Sequence, residues 1–174
     1  MVTSAVTGKA PLAVTFTASC ASASYTWDFG DGQSAVGQTV QHTFAAGYWH
    51  PALTSDAGLE AAAPVTAITL RVHAPRRAAY GAYVALEASV VPRIPVTYRG
   101  RPFVHGKLRV RVLRAAPWIV RAGPVSASAA TTVVPKLVIA LRGTPVVGGS
   151  VRVVATLHPA SAGDHHAGRG QLRP

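Results

Sequence analysis

The carboxylates of Asp28 and Asp31 are the closest acidic pair in the chain, within the segment Trp27-Asp28-Phe29-Gly30-Asp31-Gly32. Two such groups could act as the acid and the base of glycoside hydrolysis, or give oxygen ligands to a cation. Asp also accepts hydrogen bonds from nearby backbone N–H groups, and Asp-Gly suits a tight hairpin. We therefore predict turn formation rather than chemistry. A structural Ca²⁺ stays open, but two carboxylates are too few to predict it, and no cofactor or metal is predicted.

Other catalytic patterns are absent from the sequence. The seven histidines are scattered without zinc-site spacing, and neither a serine-nucleophile elbow nor a glycine-rich phosphate loop occurs. Cys20 is the only cysteine, which excludes an intramolecular disulfide. No apolar run approaches the roughly 20 residues of a membrane span. The chain is predicted not to be an enzyme.

Aromatic side chains are a candidate ligand surface. Alternation along predicted strands assigns most of them, Tyr48 included, to inward faces. Trp49 follows Tyr48 directly, so it is expected to point outward, where it could contact a sugar or a protein partner. The aromatic residues predicted to be core are Tyr25, Trp27, Phe29, Phe44 and Tyr48.

Positive charge is concentrated in the second part of the chain. Residues 1–73 carry two basic and four acidic residues, whereas residues 74–174 hold the other 15 basic residues and only two acidic ones. Lys107, Arg109 and Arg111 alternate with apolar residues and are expected on one strand face. Such a face could bind an anionic cell-wall polymer in a salt-dependent way, or could simply be solvated. No aromatic pair typical of nucleic-acid binding accompanies it, and nucleic acid is not predicted as a partner.

The strands that position these residues follow from hydrophobic alternation. Short runs rich in Val and Thr, separated by Gly and Pro, indicate an all-β fold. Apolar residues recur at every second position, with turn residues between the runs. The predicted strands of the first part are 12–18, 25–29, 39–44 and 65–72.

These blocks resemble a PKD (polycystic kidney disease) domain over residues 8–72. The resemblance rests on Gly8-x-Ala10-Pro11-Leu12-x-Val14-x-Phe16, Tyr25-x-Trp27-Asp28-Phe29-Gly30-Asp31-Gly32, His42-x-Phe44 and Gly47-Tyr48. It implies an immunoglobulin-like β-sandwich in which the aspartates have no catalytic role.

The remainder is predicted to continue as immunoglobulin-like repeats similar to those of bacterial surface proteins. The pattern of residues 81–92 returns at 148–159, an offset of 67 residues. The predicted architecture is tandem immunoglobulin-like β-sandwiches: a PKD-like domain at 1–73, an immunoglobulin-like domain at 74–134, and a truncated third repeat with a disordered tail at 135–174.

The resemblance implies a non-catalytic extracellular spacer or adhesion module, secreted or at the cell surface. Its partners would be cell-wall polymer, polysaccharide or protein, together with other domains of a longer parent chain. The alternative is an accessory module that binds anionic wall polymer or glycan for a wall-active enzyme. The sequence carries no signal peptide pattern, and we expect it to be a piece of a longer protein.

Overall fold

The computed structural model describes residues 2–3, 7–19, 21–56, 58–142 and 152–158, which form strands and no helix. This confirms the all-β, immunoglobulin-like fold class. The strands of the first half are β1 (Val2–Thr3), β2 (Thr7–Lys9), β3 (Leu12–Thr17), β4 (Tyr25–Asp28), β5 (Ser34–Val36), β6 (Thr39–Phe44), β7 (Gly47–Trp49), β8 (Ala52–Ser55), β9 (Gly58–Ala61) and β10 (Val65–His73). Those of the second half are β11 (Arg77–Ala79), β12 (Tyr83–Val91), β13 (Thr97–Tyr98), β14 (Arg101–Pro102), β15 (Lys107–Arg111), β16 (Ala116–Ala122), β17 (Val125–Val134), β18 (Lys136–Arg142) and β19 (Arg152–His158).

The chain divides into two compact units, each built from separate segments. One comprises 1–73, 87–108 and 118–129, and the other 74–86, 109–117 and 130–174. These units do not follow the consecutive order of the predicted domains, since β10 pairs with the 87–91 part of β12. The boundaries 1–73, 74–134 and 135–174 stay a prediction. The predicted disordered tail lies outside the described residues.

Within the first unit, one sheet has the order β1-β3-β6 and another the order β5-β4-β8-β9. Their inward residues form a core around Phe16, whose ring centroid lies 5.3 Å from that of Trp27 and 5.6 Å from that of Phe29. Each of these side chains is 2% exposed or less. Burying one such side chain contributes about 1.5–3 kcal/mol of transfer free energy, so this cluster stabilises the fold of residues 7–73.

Pro51 separates two short strands that the alternation of residues 47–55 alone would join. Strand β7 pairs with β10, whereas β8 pairs with β4, so the chain changes sheets between them. Proline has no N–H to donate to a ladder, which suits the crossing point. Pro51 is buried, and its carbonyl accepts a hydrogen bond from the N–H of Ala62 at 2.9 Å.

Two tight hairpins shape the later part of the first unit. Arg99-Gly100 connects β13 to β14 and His105-Gly106 leads into β15, with φ values of 48°, 75°, 48° and 74°. Successive positive φ angles are typical of the type I′ turn, which matches the twist of paired strands. Neither hairpin was predicted from the sequence.

In the second unit, β11 pairs in parallel with β17, and Arg77 lies opposite Thr132. The hydroxyl of Thr131 donates to the carbonyl of Pro75 at 2.8 Å. Strands β18 and β19 form a two-stranded antiparallel sheet of seven residue pairs.

Candidate functional site

The Trp27–Gly32 segment is a turn whose polar groups are occupied by the fold. The Gly30 N–H donates to Asp28 Oδ1 at 2.8 Å, and the Gln33 N–H donates to Asp31 Oδ1 at 3.1 Å. Gly30 and Gly32 have φ values of 78° and 86°, which side chains disfavour. The buried indole of Trp27 donates to the Gly37 carbonyl at 2.9 Å. The two carboxylates thus organise the turn that follows β4.

His42 joins this turn to strand β6. Its Nε2 lies 2.7 Å from Asp31 Oδ2, and about a tenth of each side chain is exposed. The imidazole stacks on the Phe29 ring with a centroid separation of 4.0 Å and packs edge-on against Phe44. Partial burial by itself would raise the pKa of Asp31, but the hydrogen bonds from His42 and the Gln33 N–H outweigh it and lower the pKa below its ordinary value. This pairing was not predicted from the sequence.

The loop before β4 is held by another carboxylate that sequence reasoning did not single out. Asp56 accepts hydrogen bonds from the Ser24 hydroxyl at 2.7 Å and from the Ala23 N–H at 2.8 Å. The bond from Ser24 is the main cause that lowers the pKa of Asp56. Its partners are 32 and 33 residues away, so no local pattern could have indicated it.

The expected orientations of Tyr48 and Trp49 were wrong. Tyr48 is 55% exposed, whereas Trp49 is partly buried, stacks against Phe44 and donates its indole N–H to the Ala45 carbonyl at 3.0 Å. The physical reason is Gly47, because a Cβ there would lie 2.6 Å from the Trp49 ring. The alternation was correct but the faces were exchanged. The solvent-accessible aromatic of β7 is Tyr48, which packs edge-on against His50 at 4.9 Å.

Strand β15 places Lys107, Arg109 and Arg111 on its exposed side, alternating with the buried Leu108 and Val110. Each cation has a local contact. Lys107 Nζ lies 3.3 Å from Glu87 Oε1, the Arg109 guanidinium lies 5.7 Å from the Tyr83 ring, and Arg111 Nε donates to the Gly81 carbonyl at 3.3 Å. Lys107 remains 69% exposed and Glu87 49% exposed, so this ion pair contributes little stability.

A cavity of about 510 Å³ in the first unit opens beside the His105-Gly106 hairpin. Register pairs of β10 and β12 place Arg71 opposite Ser89 and His73 opposite Glu87. Its polar lining comes from Arg71, His73, Glu87, Ser89, His105 and Lys107. The predicted binding residue Lys107 therefore belongs to a concave surface that carries two cations, two imidazoles and one carboxylate.

The described part of the chain shows neither a candidate metal site nor a membrane-spanning helix. No three His, Cys, Asp or Glu side chains there gather into a group that could hold a metal ion. None of its segments forms a helix long and apolar enough to cross a membrane.

The N-terminal part of the chain is similar to a known family. Residues 3–72 match the family model of the PKD domain, which supports the resemblance found in the sequence. The match runs from the last residue of β1 to the residue before the end of β10, and it includes the Trp27–Gly32 turn and the aromatic core. No curated protein matches the chain. The proposed immunoglobulin-like repeats after residue 72 stay a prediction.

Proposed function

We propose that this chain is a non-catalytic extracellular module that positions other domains of a larger surface or secreted protein. The observation that carries this proposal is the PKD domain at residues 3–72, because PKD domains are generally extracellular spacer or adhesion modules. The carboxylates of its most conspicuous motif are hydrogen-bonded within the turn and to His42 of β6. That arrangement suits a structural role for the motif.

The strand order of this domain supports a connecting role. Strand β2 enters in parallel with β10, with Thr7 opposite Thr66 and Lys9 opposite Ile68. Strand β10 then continues to His73, about 17 Å further at 3.3 Å per residue. The chain therefore enters this pair of strands near one end and leaves it at the other.

The experiment that tests this proposal is surface accessibility of the module in the organism that makes it. An antibody against residues 3–72 is expected to label intact cells, or to detect the protein in the medium. Labelling that requires permeabilised cells would contradict an extracellular role.

A second candidate function is the binding of an anionic wall polymer or glycan. It is favoured by the exposed cations of β15 and by the cavity that Lys107 lines together with Arg71. Attraction between such a surface and a polyanion weakens as salt screens the charges.

This candidate is tested with a triple variant in which Gln replaces Lys107, Arg109 and Arg111. The variant should elute from an immobilised, phosphate-containing wall polymer at clearly lower salt than the unchanged chain. The matched control removes the same charge from the exposed residues Arg99, Arg101 and Arg121. Elution of the two triple variants at equal salt would mean that net charge, and not this strand, retains the protein.

A further inference from the structure

A second cavity, of about 620 Å³, adjoins the cavity of about 510 Å³ beside the His105-Gly106 hairpin. Four residues line both cavities: Ala88, Ser89, His105 and Gly106. The cavities therefore meet where β12 passes the hairpin, and together they form one groove within the first unit. This hairpin groove is lined by residues 71–73, 87–90, 93–96, 103 and 105–107. Each of its two parts has the size of a small-molecule site.

Backbone hydrogen bonds fix the walls of the hairpin groove. The Ala88 N–H donates to the Gly106 carbonyl at 2.8 Å, and the Phe103 N–H donates to the Val96 carbonyl at 3.0 Å. Gly106 has a φ of 74°, and a Cβ there would lie 3.0 Å from the Ala88 oxygen, so a glycine suits this close approach of the hairpin to β12. Because these walls are already in place, a ligand would not have to order them, which favours binding.

The charges in the hairpin groove do not balance. Glu87 is the one carboxylate among its described lining residues, and it pairs with Lys107 at 3.3 Å. Arg71 and Arg93 line one cavity each, and the described lining holds no further carboxylate to neutralise them. Ser89 lies opposite Arg71 in the register of β10 and β12, and it lines both cavities. Guanidinium and hydroxyl groups are donors that carboxylate and phosphate oxygens accept from.

The larger cavity also has an apolar wall, which is formed by Ile94, Pro95 and Phe103. Ile94 and Phe103 are half-buried, so each still offers part of its side chain to a ligand. A sugar ring has C–H faces that pack on such side chains and hydroxyls that need polar partners. A sugar that also carries an acidic group would therefore match both the apolar wall and the two guanidinium groups.

We propose that the hairpin groove binds a short segment of an anionic glycan. Its acidic groups would lie at Arg71 and Arg93, and a sugar ring would lie against the apolar wall. The inference rests on the second candidate function, to which it adds a defined contact for the sugar. The exposed cations of β15 would attract the polymer, and the groove would hold one segment of it. An uncharged glycan is a poor ligand, because it would displace water from both guanidinium groups without supplying an anion.

Two charged trisaccharides test this proposal and distinguish the sources of the acidic group. Trigalacturonate carries carboxylates, and phosphorylated maltotriose carries a phosphate. Isothermal titration calorimetry with the full chain should show saturable binding of at least one of them, and the tighter one identifies the acidic group. The uncharged counterparts, the methyl ester of trigalacturonate and plain maltotriose, should bind at least tenfold more weakly. Failure of both charged probes to bind, or equal affinity for the uncharged ones, would overturn the proposal.

A double variant locates the binding. Arg71→Gln combined with Arg93→Gln should weaken binding of the preferred trisaccharide at least tenfold, because charge-assisted hydrogen bonds are lost. The matched control, Arg99→Gln combined with Arg101→Gln, removes the same charge from exposed residues outside the groove and should change the affinity less than twofold. Equal effects of the two double variants would overturn the proposal. Tighter binding of adenosine monophosphate than of either trisaccharide would indicate a nucleotide site and would overturn it as well.

The groove and the polymer-binding strand can fail separately. Suppose that the β15 triple variant loses retention on wall polymer while the groove double variant binds the trisaccharide normally. The second candidate function would then stand and the groove proposal would fall. Loss of trisaccharide binding in the groove variant, with unchanged retention of the β15 variant, would support the groove and contradict the role of the strand.

Discussion

Trp27→Ala is expected to destabilise the domain at residues 3–72 severely. The side chain is fully buried beside Phe16, and its indole donates to the Gly37 carbonyl. Truncating a buried Trp costs about 3–5 kcal/mol through lost burial and the cavity left behind. Small domains are commonly stable by only about 5–15 kcal/mol in all. The effect is therefore a large share of the stability of such a domain.

Urea denaturation followed by circular dichroism measures this effect. Trp27→Phe keeps most of the apolar volume and loses the hydrogen bond, so it should cost less, about 1–2 kcal/mol. Val36→Ala is the surface control, since Val36 is 77% exposed on the neighbouring strand and its truncation should change stability by less than about 0.5 kcal/mol. A Trp27→Ala chain as stable as the Val36→Ala chain would show that Trp27 is not part of a packed core.

Asp31→Asn is expected to lower the free energy of unfolding by about 1.5–3 kcal/mol at pH 7, the range for a hydrogen bond to a charged group. The substitution removes the charge that faces His42 Nε2 at 2.7 Å. Asp28→Asn is the matched control in the same turn. Its side-chain oxygen can still accept from the Gly30 N–H, so it should cost less than about 0.5 kcal/mol.

The Asp31 prediction includes a pH dependence. The pKa of Asp31 is lowered in the folded state, so the unfolded chain binds more protons in the range between the two pKa values. The contribution of Asp31 to the free energy of unfolding is thus complete above its unfolded-state pKa of about 3.9. It is lost as the pH falls through the lower folded-state pKa. Urea denaturation is repeated at several pH values from 7 down to 2. The free energy of unfolding should fall less steeply with pH for Asp31→Asn than for Asp28→Asn. Equal losses in the two variants would contradict the His42–Asp31 pairing.

Much of the PKD fold could be predicted because its strands alternate cleanly. The run from Leu12 to Thr17 and the run from Thr39 to Phe44 were predicted almost to the residue, and the aromatic core followed from Trp27 and Phe29. These elements bury one face each, so period-two patterns determine which residues lie inside.

The parts that sequence reasoning missed depend on contacts between distant residues or on local backbone geometry. The His42–Asp31 bond joins different elements, and Asp56 reaches a loop more than 30 residues earlier. The faces of Tyr48 and Trp49 were exchanged because a glycine at position 47 leaves room for an indole ring to fold back. Alternation predicts that neighbours point to opposite sides, but not which side is covered.

The surroundings of the candidate binding residues could be predicted from the sequence less completely than the core could. Lys107, Arg109 and Arg111 share an exposed strand side as expected, yet each also has a nearby partner. The concave surface near Lys107 depends on the His105-Gly106 hairpin, whose positive φ at a histidine has no strong sequence signal. The function of these residues stays a prediction that the salt-dependent retention experiment addresses.

The central claim, that this chain is part of an extracellular module, is tested most directly by locating the domain on living cells. An epitope inserted at Gly58, the exposed first residue of β9, where an added Cβ would meet no atom within 4 Å, lies away from the buried core. In cells that make the natural protein with this insertion, the account predicts epitope labelling without permeabilisation, and its loss when external protease is added. An epitope that stays protected from protease and is labelled only after permeabilisation, as a cytoplasmic control protein is, would contradict the account.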